Sequence, residues 1–212
     1  LGAILIQSNQ LEEAKKHIQK ALKLGYKSPQ NHTNLGAIFH RENNLTQAKD
    51  CLFKALKIDP YYHLAHSNLA SLSLQEQNYE QAKYHFQALL KHSLKHEKAW
   101  LGLAEVAYQE GFIGTALDLL LQGLTHCSQS AEMHHFLATY FMKVKEVEQA
   151  LVYYNKALLF KPDHANALHG LATLHERQGN IKLALSLYRK LLKHNPQNDL
   201  LRLHIDLLTP VL

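Results

Sequence analysis

The sequence predicts an all-α chain of tandem helix pairs, and three observations carry that reading. Proline recurs on a 34-residue spacing, leucine and small residues hold fixed columns on the same spacing, and apolar residues inside each row follow a helical period. Pro60 and Pro162 stand 102 residues apart, three times 34, and Pro162 and Pro196 stand 34 apart. Tyr26, Leu94 and Ser128 replace proline in the other three rows, so the residue assists helix termination without being required for it.

Laid out in rows of 34, one column reads Leu1, Leu35, Leu69, Leu103, Leu137, Leu171 and Ile205. The next column is small in six rows: Gly2, Gly36, Ala70, Ala104, Ala138 and Ala172. Ala14, Ala48, Ala82, Ala116, Ala150 and Ala184 form a third column, and Leu22, Leu56, Leu90, Leu124, Leu158 and Leu192 a fourth. No insertion or deletion breaks the register.

Each row holds two helices. Leu45, Ala48, Leu52, Ala55 and Leu56 share one face of a 3.6-residue period. The small columns predict the closest helix approaches, because interaxial distance follows the side chains at the contact. Between the helices, Asn9, Asn43, Gly111 and Gly179 tolerate left-handed backbone. Asn78 stands one place later than this column, and Lys145 occupies it in row five.

These features together resemble the tetratricopeptide repeat (TPR) family. Row four, "AWLGLAEVAYQEGFIGTALDLLLQGL", carries the pattern best through Trp100, Leu103, Ala104, Tyr108, Gly111 and Ala116. The resemblance covers residues 1–198 as six rows: an incomplete 1–28, then 29–62, 63–96, 97–130, 131–164 and 165–198. Residues 199–212 form a terminal helix and tail. The resemblance implies a right-handed α-α superhelix, a solenoid of six tandem 34-residue helix-turn-helix repeats plus a C-terminal single helix. The first helix of each pair would line a concave groove, each row burying its apolar face against its neighbours.

Composition narrows the function classes. The chain has 212 residues, 46% of them apolar and 8% aromatic, without a linker or low-complexity tract. Its apolar runs are too short to span a bilayer, so no membrane insertion is expected. The net charge of +5 is unevenly spread: row one is +3 (five Lys, two Glu), row four −3 and row six +4. No basic stripe interleaves with aromatics, which argues against nucleic acid. Cys51 and Cys127 lie more than two rows apart and suit reduced thiols and a cytoplasmic address. Asn31-His32-Thr33 and Asn44-Leu45-Thr46 match the glycosylation pattern but carry no weight without secretion.

Chemistry of a catalytic kind is not expected. The sequence lacks G-x-S-x-G, a P-loop, a dinucleotide fingerprint, H-E-x-x-H and C-x-x-C. "HERQG" at 175–179 starts like the zinc motif but lacks its second histidine. Sixteen histidines raise the question of metal. His32, His66 and His134 share the column of Trp100, and rows about 8–10 Å apart cannot share one ion. A flat ring packed between helices fits that column. The local pairs His92/His96 and His63/His66 lack third and fourth ligands, so no metal or other cofactor is expected. His92, His126 and His194 near helix C-termini suit the macrodipole.

Function therefore rests on the groove that the resemblance implies. Its lining runs through Gln30, Thr33, Ala37, His40 and Arg41, then Leu64, Ser67, Ser71, Leu74 and Gln75, then Lys98, Leu101, Glu105, Tyr108 and Gln109. Rows five and six supply Glu132, His135, Thr139, Met142 and Lys143, then Asn166, His169, Thr173, Glu176 and Arg177. This largely neutral lining suits an extended or helical peptide. Asn34 and Asn68 look like the asparagines with which some family members grip a peptide main chain; capping or solvating the helix is the alternative role. Gly102, Phe136 and Gly170 follow in that column, so the ladder is short. The chaperone-clamp subfamily uses a Lys/Asn pair, a second Asn and a Lys/Arg pair. Only Asn68 and Lys98 match; Thr33 and Ala37 stand where the first Lys and Asn should be, and Gly102 where the Arg should be, so that reading is rejected.

The primary expectation is a non-enzymatic scaffold that binds a partner peptide or helix through Asn34, Asn68, Arg41, Ser71, Lys98, Glu105, Tyr108, His135, Thr139, His169, Thr173 and Arg177. The terminal "DLLRLHIDLL" carries more leucine than a solvated end helix needs, and the chain starts without methionine, midway through a helix. The missing methionine points to a fragment. The leucines point either to a join (with more repeats, a fused catalytic domain or a dimer partner) or to a cap folded against row six with some leucine exposed. One alternative is therefore the substrate-recruiting N-terminal region of a larger, bacterial-type enzyme. Another is self-association through Leu200, Leu203 and Leu207.

Overall fold

The computed structural model describes residues 11–209 and, among them, twelve α-helices and no strand. They are α1 (Leu11–Lys23), α2 (Pro29–Arg41), α3 (Leu45–Ile58), α4 (His63–Gln75), α5 (Tyr79–His92), α6 (Glu97–Gln109), α7 (Ile113–His126), α8 (Ala131–Lys143), α9 (Val147–Phe160), α10 (Ala165–Arg177), α11 (Ile181–His194) and α12 (Asp199–Leu208). The fold class is all-α, two helices to a row, as the periodicity predicts. Leu1, Gly2 and Asn9 of row one lie outside the described residues. The chain divides into two compact units, Leu1–Phe112 and Ile113–Leu212, so that α6 and α7 of row four fall in different units, and within each unit successive helices pack on one another.

Local sequence sets the helix ends. Ser28, Asn44, Asn78, Ser130, His164 and Asn198 each cap a helix by accepting a backbone N–H. Pro60, Pro162 and Pro196 follow α3, α9 and α11 within two residues of their ends. The turn column behaves as expected at Asn43, Gly111, Lys145 and Gly179, all with positive φ. Row three differs from the sequence reading. Gln77, at φ 59, takes the left-handed position, and Asn78 instead accepts the Gln81 N–H as the cap of α5. The row therefore keeps its length and spends its asparagine on the cap.

Packing follows the columns. Ala14, Ala48, Ala82, Ala116, Ala150 and Ala184 are all fully buried, so this column marks close helix contacts. The histidine column does a structural job as well. His66 Nε2 donates to the Pro60 carbonyl at 2.9 Å and Trp100 Nε1 to the Leu94 carbonyl at 2.8 Å, each tying a first helix to the loop before it. His134 uses Nδ1 on the Ser130 carbonyl at 2.8 Å.

A charged ladder runs through the first unit. Lys15 pairs with Glu42 at 2.8 Å, Lys49 with Glu76, and Lys83 with Glu110 at 2.8 Å. All three pairs are 27 residues apart, and each joins a second helix to the residue that ends the following first helix. Rows one to three thus repeat an ion pair on the 34-residue period.

Candidate functional site: two clefts on the first helices

In the first unit, α2, α4 and α6 bring Gly36, Ala37, His40, Asn68, Ser71, Leu72 and Lys98 around a cleft of about 230 Å³ floored by Leu52. His40 Nε2 donates to Gln75 Oε1 at 3.1 Å across the rim. The Ser71 hydroxyl is turned onto the Ser67 carbonyl at 3.0 Å. Among the described residues, neither the Asn68 amide nor the Lys98 ammonium has a hydrogen-bond or ion-pair partner. Lys98 is an exposed residue, yet the cleft walls desolvate its ammonium enough to lower its pKa.

In the second unit, His169, Thr173, Glu176 and Arg177 of α10 face Leu200, Leu201 and His204 of α12 across a cleft of about 450 Å³, with Tyr188 beneath. Tyr188 donates to Glu176 Oε2 at 2.8 Å, Thr173 donates to the phenol oxygen at 3.2 Å, and His204 Nε2 donates to the same carboxylate at 3.0 Å. Burial pushes the Tyr188 phenol up to about 12; the Thr173 bond opposes this and the Glu176 charge reinforces it. Burial alone would raise the Glu176 carboxyl, but the His204 and Tyr188 bonds outweigh it and hold the group below its usual range. One row earlier, burial likewise raises the Tyr154 phenol, but the Thr139 hydroxyl beside it donates to the His135 carbonyl at 3.0 Å.

The clefts unite half of the residues selected from sequence. Asn68, Ser71 and Lys98 meet in the first, and His169, Thr173 and Arg177 in the second. Asn34 is half-buried on α2, Arg41 ends that helix, and Glu105 and Tyr108 lie on α6; none of them lines either cleft. Gln109 Nε2 donates to Glu105 Oε1 at 2.6 Å. Thr33, assigned to the lining from sequence, is buried instead.

His135 and Thr139 lie apart from both clefts, in a group that sequence spacing did not reveal. Glu132, His135 and His164 place one ligand-type atom each within 4.8 Å of one another. The proton inventory accounts for most of this group without an ion. His164 Nδ1 accepts the Ala167 N–H at 3.2 Å as the cap of α10, so its proton resides on Nε2 and is donated to Glu132 at 2.7 Å. A metal at Nε2 would need the proton on Nδ1 and would break the cap. Burial, then the neighbouring His164, lowers the His135 pKa, against the pull of Glu132.

The leucines of α12 also change meaning. Leu200, Leu203 and Leu207 are 81%, 57% and 65% exposed, while Leu201 and Ile205 pack on row six. In the 34-residue register, Leu200 shares a column with Lys98 and Glu132, Leu203 with His135 and His169, and Leu207 with Thr139 and Thr173. The exposed stripe thus occupies the groove columns, and Leu200 lines the second cleft.

Among the described residues, no helix is long and apolar enough to cross a membrane. Comparison with known proteins agrees with the fold. Family models described as tetratricopeptide repeat match residues 1–24 and 29–62, 67–131 and 129–197. The curated protein ycf37 of Guillardia theta is 25% identical over 114 residues, which are 54% of this chain and 64% of that protein, so the chain spans less than two thirds of its length. Among solved structures, pilF of Pseudomonas aeruginosa superposes with a TM-score of 0.78 at 20% identity, covering 93% of this chain and 90% of that one. YrrB, described as a TPR protein with an unusual peptide-binding site, superposes with a TM-score of 0.58 at 19% identity, covering 89% and 97%. With three models matched along nearly the whole sequence on a helix-pair fold, the chain belongs to the tetratricopeptide repeat family and is a protein-interaction scaffold.

Proposed function

We propose that the scaffold holds a segment of a partner protein, extended or helical, along its first helices. The observation that carries this reading is the first cleft, where the Asn68 amide and the Lys98 ammonium converge without partners of their own. An amide that both donates and accepts suits a peptide main chain, and a desolvated cation suits a carboxylate side chain beside it. In the second unit the leucine stripe adds an apolar stretch to the same columns, matching the apolar anchors that groove-bound peptides use. The peptide-binding site ascribed to YrrB supports the class of ligand and nothing finer.

The test is capture of partners from a lysate of the source organism on the wild-type chain and on a variant carrying Asn34→Ala, Asn68→Ala, Thr139→Arg and Thr173→Arg. A thermal melt checks that the variant folds. A partner lost only by the variant supports the groove. A partner kept by both moves recognition elsewhere and sinks the proposal. The exposed Leu200, Leu203 and Leu207 favour a second reading, self-association, which light scattering showing a monomer at high concentration would remove.

A further inference from the structure

The repeat register exposes a place where row three, with the loop leading into it, departs from every other row. On the second-helix side, one column reads Lys20, Lys54, Gln122, Lys156 and Lys190, but Ala88 in row three. A neighbouring column holds Lys16, Asp50, Asp118, Val152 and Ser186, but here Tyr84. In the loop before the first helix, Lys27, Lys95, Gln129, Asp163 and Gln197 are replaced by Tyr61. One long side chain is removed and two rings are added at a single site.

The result is a pocket of about 280 Å³ between α5 and the loop that precedes α4, sharing no lining residue with either cleft. Tyr61 and Tyr84 flank it while remaining 72% and 61% exposed. His92 braces Tyr61 edge-on at 5.7 Å between ring centroids. The wall histidine, His66, has both nitrogens occupied, by the Pro60 carbonyl and by His85, so it presents its ring rather than a free polar atom. Lys91 is the one lining residue with a permanent charge, and the described residues offer it no partner.

We propose that this pocket is a second binding site, separate from the groove, that takes an aromatic side chain of a partner peptide with a carboxylate beside it. The volume is below that of small-molecule sites and suits a side chain. The rings supply edge-to-face partners, and exposed aromatic rings in columns that other rows fill mostly with lysine, aspartate and glutamine bring area without helping solubility. Lys91 decides the sign of the neighbouring charge. Two tyrosines would also suit a cation, but the ammonium at the rim repels one.

The probe is the tripeptide N-acetyl-Glu-Phe-Glu-amide, titrated into the folded protein while the NMR signals of Tyr61, Tyr84 and Ala88 are followed. Millimolar peptide shifts these signals, and the Lys-Phe-Lys analogue binds about two- to fivefold more weakly, the size of one exposed ion pair. Replacing the phenylalanine by alanine abolishes the shifts. Ala88→Lys restores the residue that four other rows carry in this column, so it keeps the fold while filling the pocket, and weakens binding by about tenfold or more. Ser71→Arg, which blocks the first groove cleft, leaves the titration unchanged, so this site and the groove are tested separately. Three outcomes overturn the proposal: no shift at millimolar peptide, equal binding to Ala88→Lys, or tighter binding of the lysine-flanked analogue.

Discussion

A methyl group on Gly102 would come within 2.1 Å of the Phe86 ring, so the backbone of α6 rests directly on that side chain. Gly170 meets Tyr154 in the same way, at 2.5 Å. In this column, which begins with Asn34 and Asn68, both glycines rest on an aromatic ring of the preceding second helix, whereas His204 meets Tyr188 edge-on at 5.1 Å. The asparagine ladder stops at row three because Phe86 fills the space a side chain would need. Gly102→Ala is expected to destabilise by roughly 1–3 kcal/mol through overpacking, although alanine favours helix. Gly114 on α7 has nothing within 4 Å, so Gly114→Ala is expected to gain about 0.5–1 kcal/mol. Urea midpoints of the two variants moving in the same direction would refute the contact.

Lys145 adopts φ 66 in the column where Gly111 and Gly179 stand. Left-handed backbone costs a β-carbon-bearing residue about 1–2 kcal/mol, and the extra unfolded-state freedom of glycine offsets part of that. Lys145→Gly is expected to raise stability by up to about 1 kcal/mol. A lower thermal midpoint would contradict this.

The buried His66 and His85 rings share a 2.9 Å contact between their Nδ1 atoms. His66 spends its proton on Pro60 through Nε2, so His85 Nδ1–H donates and His66 Nδ1 accepts. Burial, with His66 adding to it, pushes His85 from 6.5 to about 4. The folded state therefore binds fewer protons than the unfolded chain between those values. The contribution is fully present above pH 6.5, falls as pH drops through the window, and is gone near pH 4. That displacement corresponds to about 3 kcal/mol. His85→Leu, the residue of this column at Leu119 and Leu187, is expected to lower stability at neutral pH and to flatten its pH dependence across the window. An unchanged slope in denaturation midpoints between pH 7 and pH 4 would argue against the pair.

The ladder of Lys15–Glu42, Lys49–Glu76 and Lys83–Glu110 is partly exposed. Lys83→Ala is expected to cost about 0.2–1 kcal/mol, and less in molar salt, because exposed ion pairs are screened. A double-mutant cycle with Glu110→Ala measures the coupling, and a salt-independent cost would assign the effect to packing of the lysine stem instead.

Much of this molecule was legible in its columns. An invariant alanine column predicted close contact and is fully buried, and the 3.6-residue period located the helices. These features depend on neighbours along the chain or on the same contact made in every row, so spacing alone reports them. Six of the twelve residues assigned to the groove do meet in clefts, because a helix face follows from its register. Tertiary structure decided the rest. Which ring lies on Gly102, which lysine reaches Glu110, and how Tyr188 gathers Thr173, Glu176 and His204 depend on the angles and separations between helices. The leucines of α12 are equally ambiguous in sequence, since an apolar stripe on a terminal helix reads either as an unpaired end or as a cap folded against row six. Only the packing of Leu201 and Ile205 on row six turns Leu200, Leu203 and Leu207 toward the groove columns. Sequence period determines which face a residue occupies; the crossing of helices determines what that face meets.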